Sequence, residues 1–156
     1  MVSTPKIKYK QPVSILAIIH DQDKNILLLN RKDIPEYWQS VTGSQEQEDS
    51  TIEQTAHREI WEETGIKPHL FHLHNWHYSS DYLIYEHWRH RYSPGTLYNK
   101  EHVFSLCIPS DTAIKLQEKE HIAYQWLPLA EAAQKVFSPS NQEAILKLPE
   151  NGCFDV

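Results

Sequence analysis

Two apolar runs dominate the early part of the chain, VSILAIIH at 13–20 and NILLLNR at 25–31. Both have the short, branched character of strands, and the polar DQDK between them reads as a turn, which predicts a β-hairpin. After Arg31 the segment KDIPEYWQSVT predicts a turn and then a short aromatic strand that delivers Gly43 into a polar loop, SQEQED. A helical period follows. Ser50 with Glu53 three residues on has the form of a capping box, the period runs to Thr64, and Gly65 stands where a left-handed C-cap belongs, so a helix is predicted over 50–64. Further strands are expected near 68–78, 82–92, 101–109 and 122–127, with SPGT at 93–96 as a turn. PLAEAAQKVF and the stretch 140–148 predict closing helices. No internal repeat, low-complexity segment or linker interrupts the pattern. Strands scattered among few helices predict an α/β sandwich built on a mixed sheet.

At 156 residues the chain is expected to form one domain, 1–156, large enough to bury a core without disulfide or metal staples. Its formal net charge of −6 argues against a general nucleic-acid or membrane binder, so an anionic ligand has to be handled by local cations. Cys107 and Cys153 match no zinc or redox spacing and read as reduced thiols. The start, MVSTPKIKYKQP, lacks an apolar signal core, and ILAII is too short to span a bilayer; a cytoplasmic protein is expected.

The helix at 50–64 changes the picture. At roughly 100° per residue, Ile52, Ala56 and Ile60 share one side, Glu59 and Glu63 continue that side at its C-terminal end, and Glu62 lies at its edge. Like charges at i,i+4 oppose one another even in water, and partly buried carboxylates without a partner cost much more. A hard divalent cation offsets that cost, because Mg²⁺ takes carboxylate oxygens and completes its shell with waters and substrate phosphates. The cluster therefore points to a metal bridge to an anionic substrate, against the plainer reading of a solvated charged face.

Gly43 followed by Arg58, Glu59, Ile60, Glu62, Glu63, Gly65 and Ile66 resembles the Nudix box, G-x5-E-x7-R-E-U-x-E-E-x-G-U, where U is a bulky aliphatic residue. The downstream half matches completely. Gly43 and Arg58 stand one residue further apart than the box prescribes, and its first glutamate falls on Asp49 counted from the glycine or on Ser50 counted back from the arginine. The resemblance implies a Nudix-type α/β/α sandwich and a hydrolase of a nucleoside diphosphate linked to another group, with Mg²⁺ (or Mn²⁺ in its place) held by the helix. Such cations neutralise and orient the diphosphate and acidify the attacking water. It also implies that Arg58 orients the glutamates; pairing with Glu62 at i,i+4 is the alternative.

KYKQPVSILAII at 8–19, YWQSVTGS at 37–44, HWRHRYSPG at 87–95 and EHIAYQWL at 120–127 resemble, more narrowly, the bacterial Nudix pyrophosphatases that act on dihydroneopterin triphosphate in folate synthesis. That resemblance implies metal ligation by Glu59, Glu63 and Glu120, with Glu120 also suited to act as a general base. It implies substrate contacts at Lys10, Arg31, Thr42 and Ser138. Lysine and arginine suit a triphosphate as point charge and fork, although each of these residues also has an ordinary structural use, Ser138 as a helix N-cap. The expected partner is a small-molecule triphosphate, with no nucleic acid and no membrane, for a monomer or homodimer. Two other readings stay open: a pyrophosphatase clearing a dNTP such as dATP or an oxidised purine, and a non-catalytic Nudix domain that senses a nucleotide.

Other features are less specific. His72 and His74 share a strand face but lack the three or four converging ligands of a zinc site. HWRHR at 87–91 is expected to alternate along a strand, with Trp88 opposite Arg89 and Arg91, two arginines that either attract phosphate or pair with surface acids. Tyr37, Trp38, Trp76 and Trp88 are candidates for stacking on a flat heterocycle or for the core.

Overall fold

The computed structural model describes residues 8–151; residues 1–7, on which part of the targeting expectation rests, and Cys153 lie outside it. The two apolar runs are strands with the expected bounds, β1 Val13–His20 and β2 Asn25–Arg31. They pair antiparallel only near the turn, at His20 and Ile26, and then splay apart. The segment after Arg31 fills the gap: β3 Trp38–Gln39 pairs with β2, and β4 Val41–Ser44 pairs with β1 from Ser14 to Ala17. Into that opening the site is built.

The first helix, α1, runs Ile52–Thr64. It begins one residue later than the Ser50–Glu53 box implies: Thr51 is the N-cap, its hydroxyl accepting from Gln54 N–H, while Ser50 donates to the Gln54 side chain. Gly65 ends it with φ 72°, as expected of a left-handed cap, and its N–H donates to Trp61. Strand β5 Leu73–Leu83 follows a short 3₁₀ turn at Pro68–Leu70. The strand expected over 82–92 does not form beyond Leu83. Glu86–Arg91 is a 3₁₀ helix, held because Trp88 packs edge-on against Tyr37 and Phe137 rather than lying in a sheet. Thr96 N–H donates to Ser93 across the expected SPGT turn. The chain then forms β6 Tyr98–Cys107, β7 His121–Pro128, α2 Leu129–Lys135 and α3 Pro139–Asn151.

The sheet has seven strands in the order β3-β2-β1-β6-β5, with β4 beside β1 and β7 beside β2. Only the β1–β6 pairing is parallel among these, so the sheet is mixed as expected. β1 and β2 are apolar on both faces because both faces are covered. Ile15, Ala17, Ile19, Leu27, Leu29, Phe104 and Leu106 pack against Ala56 and Ile60 of α1. Leu16, Ile18, Ile26, Leu28 and Val103 pack against Ala132, Ala133, Ile145 and Leu148 of α2 and α3. This is the α/β/α sandwich. Trp76 belongs to the second core, with its indole N–H bonded to Ser105 at 2.8 Å.

Candidate active site

The C-terminal turns of α1 lie against β4, and the fit depends on Gly43. A Cβ built on Gly43 would fall 2.0 Å from Glu59 Cδ, so only glycine lets the Glu59 carboxyl cross the strand at this point. Glu59 and Glu63 are buried, at 8% and 3% exposure, while Glu62 stays in solvent. This is the arrangement the helical period predicts, two acids on the buried face and one at its edge.

Arg58 gathers this end of the helix. Its guanidinium donates to Glu59 at 2.7 Å, to Glu62 at 3.3 Å and to the Ser44 carbonyl at 3.0 Å. It also grips Asp49 through two nitrogens, at 2.8 and 3.3 Å. Asp49 is thus the acid of the upstream half, counted from Gly43; Ser50 is spent on Gln54. The extra loop residue is absorbed in a turn where Asp49 N–H donates to the Glu46 carbonyl and the Asp49 carboxylate accepts from Glu46 N–H. Hydrogen bonds from Arg58 hold the Asp49 carboxyl down at about 2. Burial pushes Glu59 the other way, to about 7, against the pull of Arg58.

Glu120 arrives at the same place from the loop before β7 and brings His121 with it. Ligand atoms of Glu63, Glu120 and His121 all lie within 4.8 Å of one another. Burial, then the neighbouring Glu120, raises the Glu63 carboxyl well above the usual range, whereas the hydrogen bond Glu63 offers holds Glu120 low. His121 is buried, so that desolvation lowers its pKa, with Nε2 against Glu63 and the Asn30 backbone beside its ring. Buried carboxylates of raised pKa, with Glu120 and an imidazole beside them, are the donor set a divalent cation would satisfy. His121 was not legible beforehand, because in EHIAYQWL it reads only as the first residue of a strand.

A cleft of about 590 Å³ opens over these acids. Glu59, Glu62, Glu120 and His121 form one wall, and Lys8, Lys10, Arg31, Arg91 and Lys119 supply positive charge around it. Lys10, Arg31 and Thr42 therefore come together with the acidic helix as expected. Arg31 is held by a two-pronged bond to Asp33, with both distances 2.8 Å, and donates to Gln39 at 3.1 Å; Gln39 in turn donates to Thr42 at 3.3 Å. Ser138 does not line this cleft. It lines an adjoining slot with Tyr82, Tyr85, Trp88, Glu101 and Phe137, and it also stands at the head of α3, accepting from Asn141 N–H at 3.4 Å. Arg31, Gln39 and Thr42 border both spaces.

The two arginines of HWRHR part company. Arg91 faces the cleft, whereas Arg89 is tied to the Ile84 carbonyl at 3.0 Å. Of the aromatic candidates, Tyr37 stacks on Phe137 at 4.0 Å and Trp88 lies beneath Arg31 at 4.6 Å, both beside the slot. Trp38 packs on the far side under Lys135.

A model of the NUDIX domain matches residues 10–148. The dihydroneopterin triphosphate diphosphatase of Escherichia coli (strain K12) is 44% identical over 140 residues, covering 88% of this chain and 91% of that protein. The protein of the same description from Haemophilus influenzae is 37% identical over 144 residues, covering 90% and 89%. The solved structure of the E. coli dihydroneopterin triphosphate pyrophosphohydrolase superposes with a TM-score of 0.85 at 41% identity, over 92% of this chain and 99% of that one. A NUDIX hydrolase structure from Listeria monocytogenes, with a TM-score of 0.75 at 24% identity over 90% of this chain and 93% of that one, shares the fold. The box residues, the cleft they line and these relatives agree: the chain belongs to the NUDIX domain family of hydrolases.

Proposed function

We propose that this chain is a Mg²⁺-dependent pyrophosphohydrolase that converts dihydroneopterin triphosphate to dihydroneopterin monophosphate and pyrophosphate in folate biosynthesis, acting in the cytoplasm as one Nudix unit, monomeric or dimeric. The observation that carries the substrate is the 44% identity, over nine-tenths of the chain, to a protein described by that reaction. The site supports the chemistry independently, since an acidic wall facing a ring of lysines and arginines suits a polyphosphate held through a cation.

Glu59, Glu63 and Glu120 would hold the metal, with His121 at its flank, and Mn²⁺ would substitute through the same hard oxygen donors. Bound there, the ion supplies charge neutralisation at the phosphates and acidifies the attacking water. The chain's own residues do the rest. Arg58 fixes the rotamers of Glu59 and Glu62, so that the carboxyls meet a cation already placed. Glu120, less buried than Glu63 and of lower pKa, is the acid able to take a proton from water at neutral pH. Lys10 and Arg91 are positioned to take up phosphate charge, and Arg31, held by Asp33 over Trp88, stands where the phosphates would meet the ring. Thr42 and Ser138 offer hydroxyls on the ring side.

The test is turnover of the purified protein with Mg²⁺ on dihydroneopterin triphosphate beside the dNTPs, with pyrophosphate and phosphate quantified separately. A preference for the pterin with pyrophosphate released is expected. Preference for a dNTP would move the protein to nucleotide-pool cleaning, and metal binding with no turnover on any triphosphate would leave a nucleotide sensor.

A further inference from the structure

Among the residues lining the slot beside the cleft, most polar groups are already engaged. Gln39 is bonded to Arg31 and Thr42, Asn141 is locked to Ser40 by bonds of 2.8 and 3.0 Å, and Ser138 caps α3. Glu101 differs. It lies on the face of β6 that turns toward α3, in line with Val103 and paired with Ser14 of β1, whose hydroxyl is already taken by Asn99 at 2.7 Å. Its side chain is 4% exposed, and Oε1 has no hydrogen-bond partner among the described residues.

A buried carboxyl with an unfilled acceptor is costly, of order 1–3 kcal/mol or more, and a fold retains one where something else completes it. Burial raises this carboxyl to about 7, with the Ser140 hydroxyl alone drawing it down. The slot holds about 70 Å³ and borders the cleft at Arg31, Gln39 and Thr42. A flat ring whose leading edge reached this slot from the cleft would leave its phosphates over the acidic helix. Phe137, stacked on Tyr37, together with Tyr85 and Trp88, supplies the aromatic surface such a ring needs.

We propose that Glu101 is the ring-reading residue of this site: its carboxyl accepts the adjacent N–H donors of a 2-amino-4-oxo pyrimidine edge inserted into the slot. The proposal rests on the triphosphate-hydrolase reading above and names what selects the ring. A carboxylate pairs with two parallel N–H groups in the same way it pairs with a guanidinium. Pterins and guanine both present that edge; adenine, with a ring acceptor next to its amino group, presents the wrong one to a carboxylate. Donors arriving from the ring would also relieve the desolvation that now raises the Glu101 pKa.

The experiment compares kcat/KM of the wild type and Glu101→Gln on dihydroneopterin triphosphate, GTP and dATP. Glutamine keeps the shape but offers an NH₂ where an acceptor is required. The ratio of dihydroneopterin triphosphate to dATP is expected to fall at least about tenfold, mainly through KM. The GTP arm tells a pterin pocket from a guanine pocket. An unchanged ratio, whether both activities fall together or neither does, overturns the proposal. Titration of neopterin, guanosine and adenosine by fluorescence or calorimetry reads the ring without phosphates or metal. If the wild type fails to hydrolyse dihydroneopterin triphosphate, the substrate reading fails, and the slot is then judged by this titration: loss of neopterin or guanosine binding in Glu101→Gln upholds Glu101, and equal binding sinks it. Should Glu101→Gln melt early, Glu101→Asp, which keeps the charge and withdraws the carboxyl by one methylene, gives the same comparison.

Discussion

Gly43 and Glu59 occupy one space that two side chains cannot share. In Gly43→Ala the new methyl would meet Glu59 Cγ, Cδ and Oε1 at 2.0–2.4 Å, and what yields is the end of the Glu59 side chain, not backbone. The fold should survive with little change in melting temperature, while kcat/KM falls by roughly a hundredfold, as for a reacting group displaced by about 1 Å. Equal loss of stability and activity would show that the backbone moved instead. Glu63→Gln should abolish Mg²⁺-dependent turnover with circular dichroism unchanged, and activity near the parental level would remove the acidic helix from the mechanism. These positions were legible because their chemistry is local: three glutamates and an arginine within two helical turns report their own surroundings. Asp49 was half legible, since counting from Gly43 or from Arg58 gave different answers and only the Arg58 bonds decide between them. Glu101 and His121 were not. Each looks like an ordinary strand residue in sequence, and each gains its meaning from groups distant in the chain, the α3 layer for Glu101 and Glu63 for His121.

The helix α1 carries its site in its last two turns, so its C-cap matters to both stability and geometry. Gly65 sits at φ 72°, and a Cβ there would come within 3.1 Å of Lys115 Cβ. Gly65→Ala should cost about 1 kcal/mol, read as a fall of roughly 2–4 °C in Tm for a chain of this size. A stable Gly65→Ala protein would mean that the cap relaxes to another conformation. Helix and hairpin bounds could be read from period and caps because α1, β1 and β2 are dictated by neighbours close in sequence. The stretch 86–91 misled for the converse reason. Alternating basic and aromatic residues have the look of a strand, yet Trp88 is drawn out of the sheet by Tyr37 and Phe137, which come from before and after it. Strand order was likewise beyond local pattern, because the β1–β6 pairing and the splay of β1 from β2 are set by which layers cover the sheet.

Buried carboxyls on both faces of the sheet link pH to the stability of the entire chain. Asp49, with its carboxyl lowered from 3.8 to about 2, contributes stability that is present above 3.8 and lost as pH falls toward 2. Glu59 and Glu101, raised from 4.5 to about 7, do the opposite: their contribution is full below 4.5 and lost as pH rises through 7. Glu63, raised further, adds to that loss, while the buried His20 and His121, lowered by desolvation, regain part of it as pH rises to 6.5. With three carboxyls against two imidazoles, the metal-free protein should melt highest near pH 5 and lose stability on going to pH 8. Thermal melts from pH 4 to 8 measure this, and a Tm that stays level across that range would contradict it. At pH 8, millimolar Mg²⁺ should raise Tm by binding the charged form of the acidic helix, as any ligand of the folded state does. It should not restore the share due to Glu101, which lies across the sheet from the acidic helix. Glu101→Gln should flatten the remaining slope, and Glu63→Gln should blunt the Mg²⁺ response while leaving the Glu101 slope in place. An equal Mg²⁺ response in Glu63→Gln would place the cation elsewhere, and an unaltered slope in Glu101→Gln would mean that the slot already satisfies its carboxyl.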